Sequence, residues 1–94
     1  MLTNQQKRQL RQEGHDEPVL VSVGKHGLTD TLLDSFGVSL KAHNLVKVSL
    51  QKNATVSTEQ VISAFEGEFD CELVHKVGRV LYFYKYHEDG RIKV

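Results

Sequence analysis

Hydrophobic positions change period several times along this chain, and each change marks an element. Residues Val19–Val23 form a short β-branched run that reads as a strand. Gly24-Lys25-His26-Gly27 follows, and Leu28-Thr29-Asp30 then reads as a helix start. Over residues 29–43, Leu33, Phe36 and Leu40, with Leu32 alongside, make one apolar stripe at helical spacing. Gly37 interrupts it at a cost of roughly 1 kcal/mol relative to Ala, which points to close packing there. Asn44 suits a left-handed C-terminal cap. Leu45–Leu50 alternates strictly, with Val46, Val48 and Leu50 on one face and Lys47 and Ser49 on the other. One apolar and one wet face predict a sheet covered mainly on one side.

Residues 52–56 read as a loop, and Ser57 with Gln60 forms a capping box that opens a further helix. Val61, Ile62, Phe65 and Phe69 are its buried stripe. Residues 71–77 make the third strand, and Gly78 marks a tight hairpin. Residues 79–86 return as the fourth strand, with Leu81 and Phe83 on one face and Val80, Tyr82, Tyr84 and Tyr86 on the other. Ahead of all this, Thr3 and Gln6 form another capping box, preceded by Leu2, for a helix over residues 4–13. That helix is polar, with Leu10 as its one clear anchor, and Gly14 is expected to end it. Residues 15–18 are a linker in which Pro18 blocks a continuing helix. Residues 87–94 read as a loose polar tail.

The resulting order is α-β-α-β-α-β-β. Each βαβ unit should cross over right-handedly, and the last hairpin adds an antiparallel strand. This predicts an α+β, two-layer fold with a four-stranded mixed sheet and three helices. Too few strands and a terminal hairpin disfavour a Rossmann-like sheet. At 94 residues the chain is expected to be a single domain spanning 1–94. A hydrophobic share of 39% and a charged share of 26% match an ordinary soluble globule. The lone cysteine, Cys71, allows no intrachain disulfide, which fits a reducing compartment. No apolar leader or bilayer-length stretch occurs, so the expectation is a cytoplasmic monomer without membrane contact.

Formal net charge is zero, which weakens any simple electrostatic case for nucleic acid. The distribution is uneven, however. Residues 53–75 contain Glu59, Glu66, Glu68, Asp70 and Glu72 but no Lys or Arg, so the remainder is net basic. The neutral total reads as two unlike surfaces, one acidic and one basic.

Enzyme chemistry finds little to build on. Zinc needs about four converging ligands at recognisable spacings. Cys71 and His75 would share a strand face, but no second pair accompanies them, and the remaining histidines are scattered. Cys71 is better read as a core thiol than as a nucleophile. The clustered carboxylates belong to a solvated helix. A histidine can serve as an acid or a base, but His26 has no evident partner. We therefore expect no catalytic residues, no metal and no cofactor.

The glycine-spaced turn offers a different chemistry. Glycines let a ligand approach the main chain, and the following helix directs its N–H groups and positive dipole end towards the turn. Lys25 adds a cation, which suits a phosphate. It is not a P-loop, which requires a longer run ending in Lys followed by Ser or Thr. Lys7, Arg8 and Arg11 stand at spacings that place Arg11 beside both others on one helix face. Lys47, Lys76, Arg79 and Lys85 can extend a basic surface. Tyr82, Tyr84 and Tyr86 can stack on bases, although packing against a helix or forming a wet strand face is the stronger reading for them.

Taken together, these segments resemble the CRM-domain family, of the small YhbY type. The resemblance is carried by Leu2-Thr3 with the helix Lys7-Arg8-Gln9-Leu10-Arg11, then by Pro18-Val19 and Val23-Gly24-Lys25-His26-Gly27-Leu28-Thr29. It continues through Leu40-Lys41-Ala42-His43-Asn44-Leu45-Val46-Lys47-Val48 and Val77-Gly78-Arg79-Val80-Leu81-Tyr82. The resemblance implies a non-enzymatic RNA-binding protein, similar in fold to the C-terminal domain of bacterial translation initiation factor three with an added N-terminal helix. It further implies association with precursors of the large ribosomal subunit, hence ribosomal RNA as partner, and a Gly-x-x-Gly loop that contacts RNA backbone. His26 stands where the family usually has Asn. The expected RNA contacts are Lys7, Arg8, Arg11, Gly24, Lys25, His26, Gly27, Thr29, Lys47 and Arg79. The competing expectation is a protein-interaction module whose acidic third helix docks a basic ribosomal protein.

Overall fold

The computed structural model describes residues 2–88, 90 and 92. Three helices and four strands follow the expected order: α1 (Asn4–His15), β1 (Val19–Val23), α2 (Asp30–His43), β2 (Leu45–Leu50), α3 (Thr58–Phe69), β3 (Glu72–Val77) and β4 (Val80–Tyr84). Each helix begins where a hydroxyl can satisfy its first free N–H groups. Gln6 N donates to Thr3 Oγ1 at 3.1 Å, while Thr3 N donates to Gln6 Oε1 at 2.8 Å. Ser57 and Gln60 repeat that reciprocal pair, and Thr29 Oγ1 accepts from Leu32 N. Asn44 closes α2 with a positive φ of 65°, and its carboxamide donates to Lys85 O.

The strands lie in the order β1-β2-β4-β3. β1 runs parallel to β2, and the other two pairings are antiparallel. β4 stops at Tyr84, two residues earlier than expected, because both neighbouring ladders end there: Leu45 and Glu72 are its last partners.

Both faces of the sheet carry a core. On one, α2 and α3 bury Phe36, Leu40, Val61 and Phe65 against Val46, Val48, Leu81 and Phe83. The rings of Phe36 and Phe65 stack with centroids 4.0 Å apart, and Phe83 meets both edge-on. Gly37 lies against Phe69, close enough that a Cβ would stand 2.9 Å from a ring carbon. That contact accounts for a glycine inside a helix.

The other face is covered by α1, so the wet face predicted from β2 is only partly wet. Leu10 is fully buried among Leu45, Val74, Tyr82 and Tyr84. Burying one leucine contributes roughly 2 kcal/mol, which anchors an otherwise polar helix. Tyr82 and Tyr84 are therefore packed beneath a helix and present no ring face to a ligand, whereas Tyr86 is exposed. Gly14 does not terminate α1, which runs on to His15. It lets the helix approach the sheet instead: a Cβ at Gly14 would stand 3.0 Å from two ring carbons of Tyr82. Part of the tail expected to be loose lies outside the described residues. Within it, Ile92 is buried in this second cluster, and Tyr84 Oη donates to Ile92 O at 2.8 Å.

Strand register divides the α1 face into rows. Leu45, Tyr84 and Glu72 form one row, and Lys47, Tyr82 and His75 form the next. Ser22, Ser49, Val80 and Val77 form a third. None of this third row is buried, so α1 leaves that end of the face open.

Two glycines test this packing. Gly14→Val should lower unfolding free energy by about 2 kcal/mol, because the ring of Tyr82 is held in place and overpacking typically costs 1–3 kcal/mol. Gly67, inside α3 with nothing near its missing Cβ, should behave oppositely. Gly67→Ala should stabilise by roughly 0.5–1 kcal/mol. Urea denaturation of both variants checks the pair.

Candidate nucleic-acid interface

Three connections meet at the open end of the sheet: the 24–27 loop after β1, the segment after β2, and the β3–β4 hairpin. Gly24 to Gly27 is a tight turn in which Gly27 N donates to Gly24 O at 3.0 Å. Only one of its glycines needs unusual backbone angles. Gly27 has a φ of +68° and is buried against Thr55 and Val56. Gly24 has no positive φ, but a Cβ there would press on the side chain of Gln51. The turn thus exposes Lys25 and His26 at its tip. Thr29 is separated from that tip, and its hydroxyl caps α2. Asp30 adds a negative charge to the first turn of α2, which pairs favourably with the positive end of the helix dipole and reduces what that end offers an outside anion.

Gln51 ties the three connections together. Its N–H donates to Val23 O at 2.8 Å, and its carboxamide donates to Ser22 Oγ. Its carbonyl accepts from Ala54 N and from Arg79 Nη1 at 3.1 Å. Arg79 is thereby fixed beside the loop end with further guanidinium N–H groups to offer. Gln51 did not emerge from sequence reasoning. A polar residue directly after a strand, at the parallel neighbour of a glycine turn, was the available signal.

The helix α1 brings a second group of cations. Among the described residues Arg8 and Arg11 make no ion pair, and both are exposed. Lys7 lies 3.5 Å from Glu72, and Leu2 N donates to the same carboxylate, so this end of α1 is fastened to β3. Lys47 is not on the loop surface. Its Nζ lies 3.4 Å from His15 O at the C-terminus of α1 and 5.0 Å from the ring centroid of Tyr82. It reads as a clasp for the helix. The loop residues with Arg79 and the α1 cations thus form separate groups. Between them runs an open groove lined by Arg11, His15, His75 and Val77 over Tyr82.

Two residues weighed for metal or covalent chemistry are set apart by the fold. A bulge in β3 between Leu73 and His75 breaks the strict alternation. Cys71 therefore belongs to the α2–α3 core and His75 to the α1 face, not to one shared face as the spacing suggested. Burial pushes the Cys71 thiol up to about 12, and Glu66 adds to that effect. The thiolate is thus scarce near neutral pH. Burial and then the neighbouring Arg11 lower the His75 pKa from its usual 6.5.

Glu72 on β3 pairs with α1 and Glu13 is on α1 itself, whereas Glu59, Glu66 and Glu68 lie on α3 across the sheet. Two of them are engaged within the fold. Glu59 pairs with Lys76 at 2.8 Å, which lowers its carboxyl to about 2, and Glu66 accepts from Leu73 N on β3.

The CRS1 / YhbY (CRM) domain model matches residues 2–85. The chain belongs to this family. It is 31% identical over 91 residues to the probable RNA-binding protein YqeI of Bacillus subtilis, covering 97% of this chain and 95% of that one. An RNA-binding protein of Haemophilus influenzae is 27% identical over 93 residues, with 99% and 94% covered. Among solved structures, the solution structure of the hypothetical protein SAV1595 from Staphylococcus aureus superposes with a TM-score of 0.81 at 25% identity, covering 100% of this chain and 99% of that one.

The lowered His75 pKa has a measurable consequence. Below pH 6.5 the unfolded chain binds this proton more readily than the folded one, so stability falls as pH drops through that region. Denaturant midpoints at pH 7.5 and 5 should separate more for the wild type than for His75→Gln. An NMR titration should place His75 below 6.5, with Arg11→Gln moving it upwards. A His75 titration at or above 6.5 would contradict the burial described here.

Proposed function

We propose that this chain is a monomeric, cytoplasmic RNA-binding protein without catalytic activity, which binds large-subunit precursor rRNA during ribosome assembly. The observation that carries the RNA reading is a set of exposed basic side chains that make no ion pair among the described residues. Lys25 and His26 stand at the tip of a rigid turn, Arg79 is braced beside it, and Arg8 and Arg11 project from α1 without ion pairs among the described residues. Arg8 and Arg11 lie across the sheet from the acidic α3, and Arg79 and the turn adjoin only its N-terminal end, so a net charge of zero is compatible with a polyanion on the α1 side. Relatives named as RNA-binding proteins support the same reading. The ribosomal destination rests on the family resemblance.

In this reading Lys25 and the 24–27 main chain hold backbone phosphates, and Arg8 and Arg11 set the orientation of the strand. Lys7 and Lys47 act indirectly, by holding α1 in place.

Binding of a fluorescent single-stranded RNA across a salt series tests this. About four phosphate contacts should give a log–log slope near −3, at roughly −0.7 per contact. Lys25→Ala and Arg11→Ala should each weaken binding and flatten the slope by about 0.7. Glu68→Gln, on exposed α3, should leave both unchanged. Absence of binding by the wild type would overturn the proposal. Loss of binding to preribosomal particles in Glu68→Gln alone would favour a protein partner on α3.

A further inference from the structure

We propose that the groove between α1 and the hairpin end of β3 seats one unpaired base of a single-stranded RNA. The proposal rests on the RNA reading above and assigns the base-contacting part of that surface. The groove has a volume of about 560 Å³, inside the usual 300–1,000 Å³ of small-molecule sites. Arg11, Gln12, His15, His75, Val77 and Tyr82 line it.

Its chemistry suits a flat, partly apolar, hydrogen-bonding group attached to a phosphate. Val77 is 52% exposed at the hairpin end of an edge strand, although its partner Val80 is half-buried. The imidazole of His75 is only partly covered, and Tyr82 fixes its orientation from below, with ring centroids 5.3 Å apart at 88°. Tyr82 is buried and serves as floor. The two side chains left for a base to rest on are therefore His75 and Val77. Arg11 borders them with a planar guanidinium that can stack on a base or bind a phosphate in a fork.

The position of the groove fits the rest of the proposed surface. Val77 leads through Gly78 into Arg79, which is bonded to Gln51 beside the glycine turn. From β3 across to β1 is three strand spacings, or about 14 Å. That distance is about four stacked nucleotides at roughly 3.4 Å each. The open row of Ser22, Ser49, Val80 and Val77 lies along that path. A duplex cannot use the groove, because its bases are stacked and paired and its deep major groove admits no side chains.

The experiment is an NMR titration of isotope-labelled full-length protein. The probes are single-stranded RNA octamers of A, U, C and G-containing mixed sequence, and a self-complementary RNA duplex. At least one single-stranded octamer should move the Val77 methyl signals upfield through the ring current of the seated base and shift the His75 ring signals. The duplex should shift Lys25 and Gly27 amides but leave Val77 unmoved. Val77→Asp, a change at an exposed position, should weaken binding of that octamer at least about fivefold, the lower end of what losing one stacking contact costs. Its affinity for the duplex should fall by much less, and His75→Ala should repeat the pattern. If the loop amides respond to the octamers while Val77 and His75 do not, the groove proposal is overturned and the RNA reading stands. Equal responses of Val77 to octamer and duplex also overturn it. If no signal responds to any RNA, both readings fail together.

Discussion

Gly14 has no side chain, and that absence lets α1 lie against the ring of Tyr82. Much of the molecule follows from that contact. The sheet would otherwise present Leu45, Tyr82, Tyr84 and Val74 to water, an apolar area too large for α1's single leucine to cover from a distance. The helix is short of apolar residues, so its position is secured by polar clasps at both ends. Glu72 holds Leu2 N and Lys7 at one end, and Lys47 reaches the carbonyl of His15 at the other. Placing a cation at a helix C-terminus also favours the macrodipole. Ile92 completes the cover by packing on Tyr84. What α1 leaves uncovered is the third row of the sheet and the groove at its edge, so this one approach decides where a ligand can reach the sheet.

Elements were legible because each carries a local signal. Capping boxes at Thr3 and Ser57, alternation in β2 and the glycine at the hairpin all act over a few residues, and the strands and helices fall within two residues of where those signals put them. Errors arose where a residue serves a distant partner. Gly14 looks like a helix stop until Tyr82 is placed beneath it. The bulge in β3 separates Cys71 from His75, and nothing in a seven-residue strand pattern announces it. Lys47 sits on the polar face of an alternating strand, which by pattern alone is a solvent face, yet α1 arrives there from the far end of the sequence. Gln51 went unnoticed for the same reason: its bonds run to β1 and the hairpin, contacts that exist only after the sheet has formed.

Charge behaves similarly. The zero net total conceals a division set by topology, since α1 and α3 pack on opposite faces. Individual surface pairs such as Glu59–Lys76 contribute little to stability because both groups remain in solvent.

The glycine spacing that first suggests a phosphate site turns out to be the weakest support for one. Gly27 is required by its positive φ with or without a ligand, and a Cβ at Gly24 would crowd the end of the Gln51 side chain. Lys7 and Lys47 are likewise explained by holding α1. The residues that the fold does not explain are the informative ones. Lys25 and His26 project from a turn that would close equally well with other side chains at its tip. Arg8 and Arg11 leave α1 without an ion pair among the described residues, and Val77 exposes half of an apolar side chain at the end of an edge strand. Cations without acidic partners, next to uncovered apolar surface, fit a ligand with an anionic backbone and flat, weakly polar rings. A plain anion would leave Val77 and His75 unused.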